Sequence, residues 1–417
     1  MKTCWTIACA LLLGTLVPCG ADDRATIPAC MIVDDPAPFF NCYWVNHKTG
    51  RQEIPTSFYV EFGRWAEKEK IKGKFSVVPC LGGIKPIDGS LGEYPGHTRE
   101  ERLQWIEMVK TLYAPRFTIT PEVITHNLVW DLNARKLVEG SPRECNWLET
   151  QPLDVQARYI AEGMQMLKNV GLEPGGLTMC WSYAKEKNAV LGEATLSAAE
   201  KVCGLKYIMI FNDTGERPGV IYRRGDGAMA VSLRPNVGDC YDHVLGKKTE
   251  ADIRADADKY IAEDGRKGQF VEAIARHKCL IFYTHAQTLY GNGTKSGLKV
   301  FQIAIDRLHR HYGNRIEWMT GLEIARRFCP PGQPSVPDEI RTEAVRPNDD
   351  PIGRPLPLAC SWTCGHYRSD RSAGWRPENQ MRLIEGGHHL LPWFSHPEGE
   401  VPADPKAFPR RYYQDPI

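Results

Sequence analysis

Two adjacent aspartates, Asp34 and Asp35, end the apolar run in "ACMIVDDPAPFFN", and Pro36 and Pro38 stiffen the chain just beyond them. Neighbouring carboxylates repel, so a strand end that carries two of them needs a cation nearby or a use for the pair. The ordinary use of aspartate is turn formation or helix capping, through bonds to nearby backbone amides. Two histidines widen the choice. His126 lies in "RFTITPEVITHNLVWDL", with Trp130 and Asp131 just beyond it, and His285 ends the run "KCLIFYTH". One aspartate and one histidine can hold a divalent metal ion, because carboxylate and imidazole suit zinc and its neighbours. A second aspartate beside the ion stays ionised and can take a proton from water, and a second histidine can protonate a leaving group. That combination is metal-assisted hydrolysis.

Such groups need a scaffold that brings them together. The short runs "CMIV", "KFSVVPCL", "GLTMCW", "LKYIMIF" and "KCLIFYT" are rich in β-branched and aromatic residues and read as buried strands. Amphipathic stretches lie between them. "HTREERLQWIEMVKTLY" opens with Thr98 and Glu101 at capping-box spacing, and "LKVFQIAIDRLHRHYG" ends at Gly313. "IEWM" returns to a strand, after which Thr320 can cap a last short helix. The alternation predicts an α/β fold with a mainly parallel sheet or barrel over residues 22–330. In such folds the working residues gather at the carboxyl ends of the strands, where Asp34, Asp35 and His285 fall.

The rest of the chain sets bounds. The 417 residues are 42% hydrophobic, enough for a large core, and 52 basic side chains balance 51 acidic ones at a net charge of +1. That balance excludes nucleic acid and an anionic membrane surface as main partners, since both select for a basic patch. Residues 1–21 have the pattern of a secretory signal: Lys2, an apolar segment from Trp5 to Val17, then small residues before Asp22. Lipid attachment at Cys19 is the alternative, and either way export to the periplasm or beyond is expected. No later segment is apolar for long enough to span a bilayer. Three of the 14 cysteines go with the leader and 11 remain, an odd number scattered too widely for a disulfide scaffold. From 331 to 417 the texture changes to a Pro-rich linker and an aromatic extension that includes Cys360, Cys364, His388 and His389.

Four segments, taken in order, resemble the polysaccharide deacetylases of the NodB-type carbohydrate esterases. "VDDPAP" is similar to that family's "TFDDGP", and "KGKFSVVP" lies where the family has its "ATFFV" strand. "ITHNLVWDL" falls at its histidine metal motif, and "LIFYTHAQ" at its final histidine-bearing strand. The resemblance spans about residues 30 to 330. It implies a distorted (β/α) barrel with an open groove, Asp34 as catalytic base, Asp35 and His126 as metal ligands, and His285 as the acid that protonates the departing group. The implied cofactor is a divalent metal, zinc first and cobalt or nickel as alternatives. The implied substrate is an N- or O-acetylated polysaccharide such as a cell-wall glycan. Trp130 stands where the family has its second metal histidine, so the third ligand falls to Asp131 or to His388 or His389 of the extension. Two other readings stay open: a catalytically silent carbohydrate-binding protein on the same fold, and a hydrolase of a non-peptide C–N bond in a non-sugar substrate.

Overall fold

The computed structural model describes residues 26–181, 183–239 and 249–332. The leader with Cys19, and Cys360, Cys364, His388 and His389, lie outside the described residues. The described strands are β1 (Ile27–Asp34), β2 (Gly73–Val77), β3 (Phe117–Pro121), β4 (Trp130–Asp131), β5 (Lys136–Leu137), β6 (Gly176–Thr178), β7 (Tyr207–Phe211), β8 (Gly219–Arg223), β9 (Met229–Ser232), β10 (Leu280–His285) and β11 (Ile316–Trp318).

One sheet runs β10-β1-β2-β3, all parallel, with β11 pairing the start of β1. A second runs β6-β7-β9-β8, parallel except for β8, which turns back on β9 as a hairpin. Single parallel bridges join the sheets at two seams, Glu122 to Thr178 and Val237 to Phe282. The α/β class with parallel sheets is as expected. The expected barrel is not established among the described residues: the hydrogen-bonded wall is two sheets joined by isolated bridges. The strands must also approach closely: a Cβ on Gly73 would lie 1.7 Å from the Met31 carbonyl oxygen, so only glycine fits there.

Strand periodicity sorts the side chains into two sets. Ala29, Met31 and Val33 of β1 join the large core beneath the outer helices, including Thr56–Lys68, Leu153–Asn169 and Ser296–Tyr312. Cys30 and Ile32 face the other way, into a second apolar cluster with Met209, Val231 and Ile281, plus Ile324 of the helix Gly321–Phe328. That helix starts with the expected Thr320 cap, a full capping box with Glu323, and the helix Arg99–Met108 starts with the Thr98–Glu101 box. Gly321 lies against Met209, Lys74 and Thr118, so the short helix floors the space between the sheets. Above this floor the buried lining turns polar: Asp34 in β1, Lys74 and Ser76 in β2, Thr118 and Thr120 in β3, Thr178 in β6. Asp34, Ser76, Thr120 and Thr178 lie toward the carboxyl ends of their strands, and Lys74 and Thr118 toward the amino ends. Among the described residues, Cys30, Cys42, Cys80, Cys180, Cys203, Cys279 and Cys329 are free thiols. No described helix is long and apolar enough to cross a membrane.

Candidate functional site

The parallel register sets Asp34, the last residue of β1, directly opposite His285, the last residue of β10. Asp34 is buried and forms an ion pair with Lys74 Nζ, and the Ser76 hydroxyl lies 3.5 Å from the same Oδ1. Lys74 is itself fully buried beside the Phe211 ring, 5.0 Å from its centroid. Burial pushes the Asp34 carboxyl up, Lys74 draws it down, and Glu122 and Asp35 push it up again, leaving it at about 6. Asp34 is thus ionised at neutral pH, yet basic for an aspartate.

Asp35 follows in the left-handed region, with φ 67°. Its backbone N–H donates to Glu122 Oε2 at 3.0 Å and to Ser76 Oγ at 3.2 Å, which stabilises this strained conformation. The turn swings the second carboxylate away from the first. Asp35 Oδ2 accepts from the Gln287 amide, and Oδ1 lies 3.2 Å from His126 Nε2. Burial opposes its charge, but His126, His285 and the Gln287 bond outweigh burial and hold Asp35 well below the usual carboxylate range.

His126 sits in a loop that leaves β3 through Glu122. The Glu122 N–H donates to the Val77 carbonyl, and the Val123 N–H to that of Thr178, so the loop starts anchored to both sheets. Val123 and His126 both have positive φ, 45° and 55°. Glu144 holds the loop in shape: its buried carboxylate accepts the backbone N–H groups of Ile124, Thr125 and His126 and the hydroxyl of Tyr159. Burial dominates there and raises Glu144 to about 7. The His126 ring is gripped from both ends. Nε2 faces Asp35 Oδ1 and Glu122 Oε1, each at 3.2 Å, while Nδ1 faces Cys42 Sγ at 3.2 Å and Asn46 Nδ2 at 2.9 Å. Burial works against a protonated ring, but Cys42, Asp35 and Glu122 outweigh it and hold the pKa well above the ordinary value. Trp181, also at positive φ, stands 5.2 Å from His126 with the Arg143 guanidinium over its own ring at 3.5 Å.

At the other end of the cluster, Asp239 Oδ2 lies 2.7 Å from His285 Nδ1 and accepts the Thr288 hydroxyl at 2.9 Å. Burial lowers His285, but the Asp239 bond and the charges of Asp35, Asp239 and Asp34 overcome it and raise the imidazole to about 9. His285 is therefore an imidazolium at neutral pH, with Nδ1 committed to Asp239.

The structure brings Asp34, Asp35, His126 and His285 into one buried cluster. It does not bring Asp131 there. Trp130 and Asp131 form a two-residue strand of a hairpin, and Asp131 Oδ1 caps the N–H groups of Asn133 and Ala134 at 2.8 and 2.9 Å. Cys42 stands closer: Asp35, Cys42 and His126 can each offer one ligand atom, all within 4.8 Å of one another, and this group could hold a metal ion. Charge balance favours a cation. The buried carboxylates of Asp34, Asp35, Glu122 and Asp239 face one lysine and two histidines, so the cluster stays negative even with both imidazoles protonated. Gln287 Oε1, Asn46 Oδ1 and Asp239 Oδ1 are buried polar atoms without hydrogen-bond partners among the described residues.

Sequence reasoning missed Lys74, Glu122, Cys42, Gln287, Asp239 and Glu144. Two of them left a signal. Lys74 is a charge inside an apolar strand, flanked by alternating Phe75 and Val77, and a charge there needs a buried partner. Glu122 lies four residues before the candidate ligand His126.

No protein-family model and no curated protein sequence matches this chain. Its fold is similar to those of several solved structures. A candidate polysaccharide deacetylase from Mycobacterium smegmatis is 11% identical over 74% of this chain and 92% of that one, with a TM-score of 0.43. A candidate glycoside hydrolase/deacetylase from Parabacteroides distasonis is 9% identical over 73% and 72%, with a TM-score of 0.40. A 4-alpha-glucanotransferase from Thermococcus litoralis is 12% identical over 74% of this chain and 41% of that one, with a TM-score of 0.39. At these scores the likeness carries no argument, and the chemistry has to be read from the side chains themselves.

Proposed function

We propose that this protein is a divalent-metal-dependent hydrolase that removes acetyl groups from an N- or O-acetylated polysaccharide. The observation that carries the proposal is the pairing across β1 and β10: a carboxylate near pKa 6, Asp34, lies in register with an imidazolium near pKa 9, His285. At pH 7 to 8 one is a competent base and the other a competent acid, which is the pairing hydrolysis needs. Asp35 and His126, beside them, are the residues that would hold the ion. When bound, a divalent ion there supplies Lewis acidity toward an acyl oxygen and makes water easier to deprotonate.

The chain's own groups do the remaining work. Lys74 keeps Asp34 ionised and holds Oδ1, so Oδ2 is the oxygen that takes a proton from the attacking water. Gln287 fixes the direction of the Asp35 carboxylate. Asp239 and Thr288 hold His285 through Nδ1, so Nε2 delivers the proton to the departing amine or alkoxide. The helix Cys42–His47 carries Cys42 and Asn46 to the His126 ring and forms one wall of a cleft of about 360 Å³. Phe40, Trp44, Val45, Ile84 and Lys48 line this cleft together with Asn127, the neighbour of His126. Flat aromatic and apolar faces with polar edges suit the rings of a glycan. Acetate release from chitin oligomers and acetylated xylan tests the proposal, with zinc, cobalt or nickel supplied to chelator-treated protein. Release that depends on metal and is lost in His285→Gln supports it. A protein that binds metal and releases no acetate from either substrate overturns it.

A further inference from the structure

A ring nitrogen of histidine binds one ion, and the donors around His126 divide between its two nitrogens. Cys42 and Asn46 lie on the Nδ1 side, and Asp35 and Glu122 on the Nε2 side. The two carboxylates of the second set are built alike. Each spends one oxygen on an anchor: Asp35 Oδ2 takes the Gln287 amide, and Glu122 Oε2 takes the Ser76 hydroxyl at 2.7 Å and the Asp35 N–H at 3.0 Å. Each presents its other oxygen to Nε2 at 3.2 Å. A single Nε2 proton cannot serve two carboxylates well, so the set is short of positive charge at this point. The separation of 3.2 Å is close to the edge of a tetrahedron drawn around an ion with bonds of about 2.0–2.1 Å. The Nδ1 set has a different character. On this side the Asn46 amide nitrogen, 3.2 Å from the Cys42 sulfur, is a donor, not a ligand.

We propose that Glu122 is the third protein ligand of the metal centre, binding with Asp35 and His126 Nε2, while the Cys42 sulfur orients the ring by accepting from Nδ1–H. This rests on the metal-dependent reading above and replaces the ligand that Trp130 fails to supply. A metal-bound imidazole ordinarily has its other nitrogen fixed by a neighbour, which is the part the Cys42 sulfur plays. The assignment explains two more features. Glu122 is the point where β3 is bridged to β6, so its backbone is fixed to both sheets, as a ligand requires. It also stabilises Asp35 at positive φ through Oε2, so the same side chain sets its fellow ligand.

The test uses the intact protein with zinc and cobalt as probes. Calorimetric zinc titration should give one site in the wild type, weakened by roughly a hundredfold or more in Glu122→Gln and by less in Cys42→Ser, since loss of a ligand exceeds loss of an orienting partner. The cobalt-loaded wild type should lack the near-ultraviolet thiolate-to-cobalt charge-transfer band, a readout that needs no variant to fold. A wild type that binds cobalt with a strong thiolate band, or a folded Glu122→Gln that binds zinc as tightly as wild type, overturns the Glu122 assignment and leaves the metal-dependent reading standing. A wild type that binds neither metal overturns both.

Discussion

Replacing Asp239 with asparagine removes the charge that faces His285 Nδ1 at 2.7 Å while keeping nearly the same shape. Burial alone would push the imidazole below its ordinary value. The Asp239 bond leads the opposing effects, followed by Asp35, the Asp239 charge and Asp34, and the balance lies at about 9. Relative to an unfolded histidine near 6.5, this shift is worth about 3 kcal/mol of folding free energy. The sign follows from the raised folded-state value. The contribution is fully present below about pH 6.5 and is lost as pH rises through 9, because the folded chain holds a proton that the unfolded chain has released. Urea unfolding from pH 6 to 9.5 should show wild-type stability falling relative to His285→Gln by up to about 1.4 kcal/mol per unit across that window. Asp239→Asn should lower the imidazole pKa by about 1–2 units, read by NMR titration, and shift the window down with it. Wild-type and His285→Gln curves that stay parallel from pH 6 to 9.5 would refute the assignment of His285 as an imidazolium at neutral pH.

Three further outcomes follow from the same geometry. Lys74→Met strands the Asp34 carboxylate in a buried site, costing roughly 3 kcal/mol at pH 8 and less below pH 6, where Asp34 takes up a proton; chemical denaturation at the two pH values separates these, and equal losses would count against the pair. Glu144→Ala leaves three backbone N–H groups and the Tyr159 hydroxyl without their acceptor, for a loss of about 3 kcal/mol or more; an unfolding midpoint near that of wild type would show that Glu144 does not hold the loop. Gly163→Ala places a Cβ 2.3 Å from the Val123 carbonyl oxygen, so it should push the loop 122–126, costing about 1–3 kcal/mol and weakening zinc binding in parallel; unchanged zinc affinity in a destabilised variant would break the link between that helix and the site.

The scaffold was legible because its signals are local. β1, β2, β6, β7 and β10 fall on the apolar runs that predicted them, and the Thr98–Glu101 box and the Thr320 cap stand where the sequence placed them. The β8–β9 hairpin was not foreseen, since "VIYRRGDGAMAVS" mixes charge with short apolar runs and pairs at the rim of the sheet. Among the candidate site residues, Asp34, Asp35 and His285 drew notice because each stands where an apolar run stops. The ones missed act through tertiary placement. Cys42 reaches His126 from a separate helix, Asp239 reaches His285 across 46 residues, and Gln287 reaches Asp35 across 252. No window of sequence joins such pairs. Asp131 failed for a local reason: its carboxylate is taken by the turn it closes, the ordinary use of aspartate.

The most direct test of a metal-dependent deacetylase is to follow acetate release from an acetylated glycan as chelator-stripped protein is reloaded with graded zinc. The rate should rise in proportion to the occupied fraction, level off at about one ion per chain as a single catalytic site requires, and stay at background in Asp35→Asn. A rate that is independent of occupancy, or absent at full occupancy, contradicts the account.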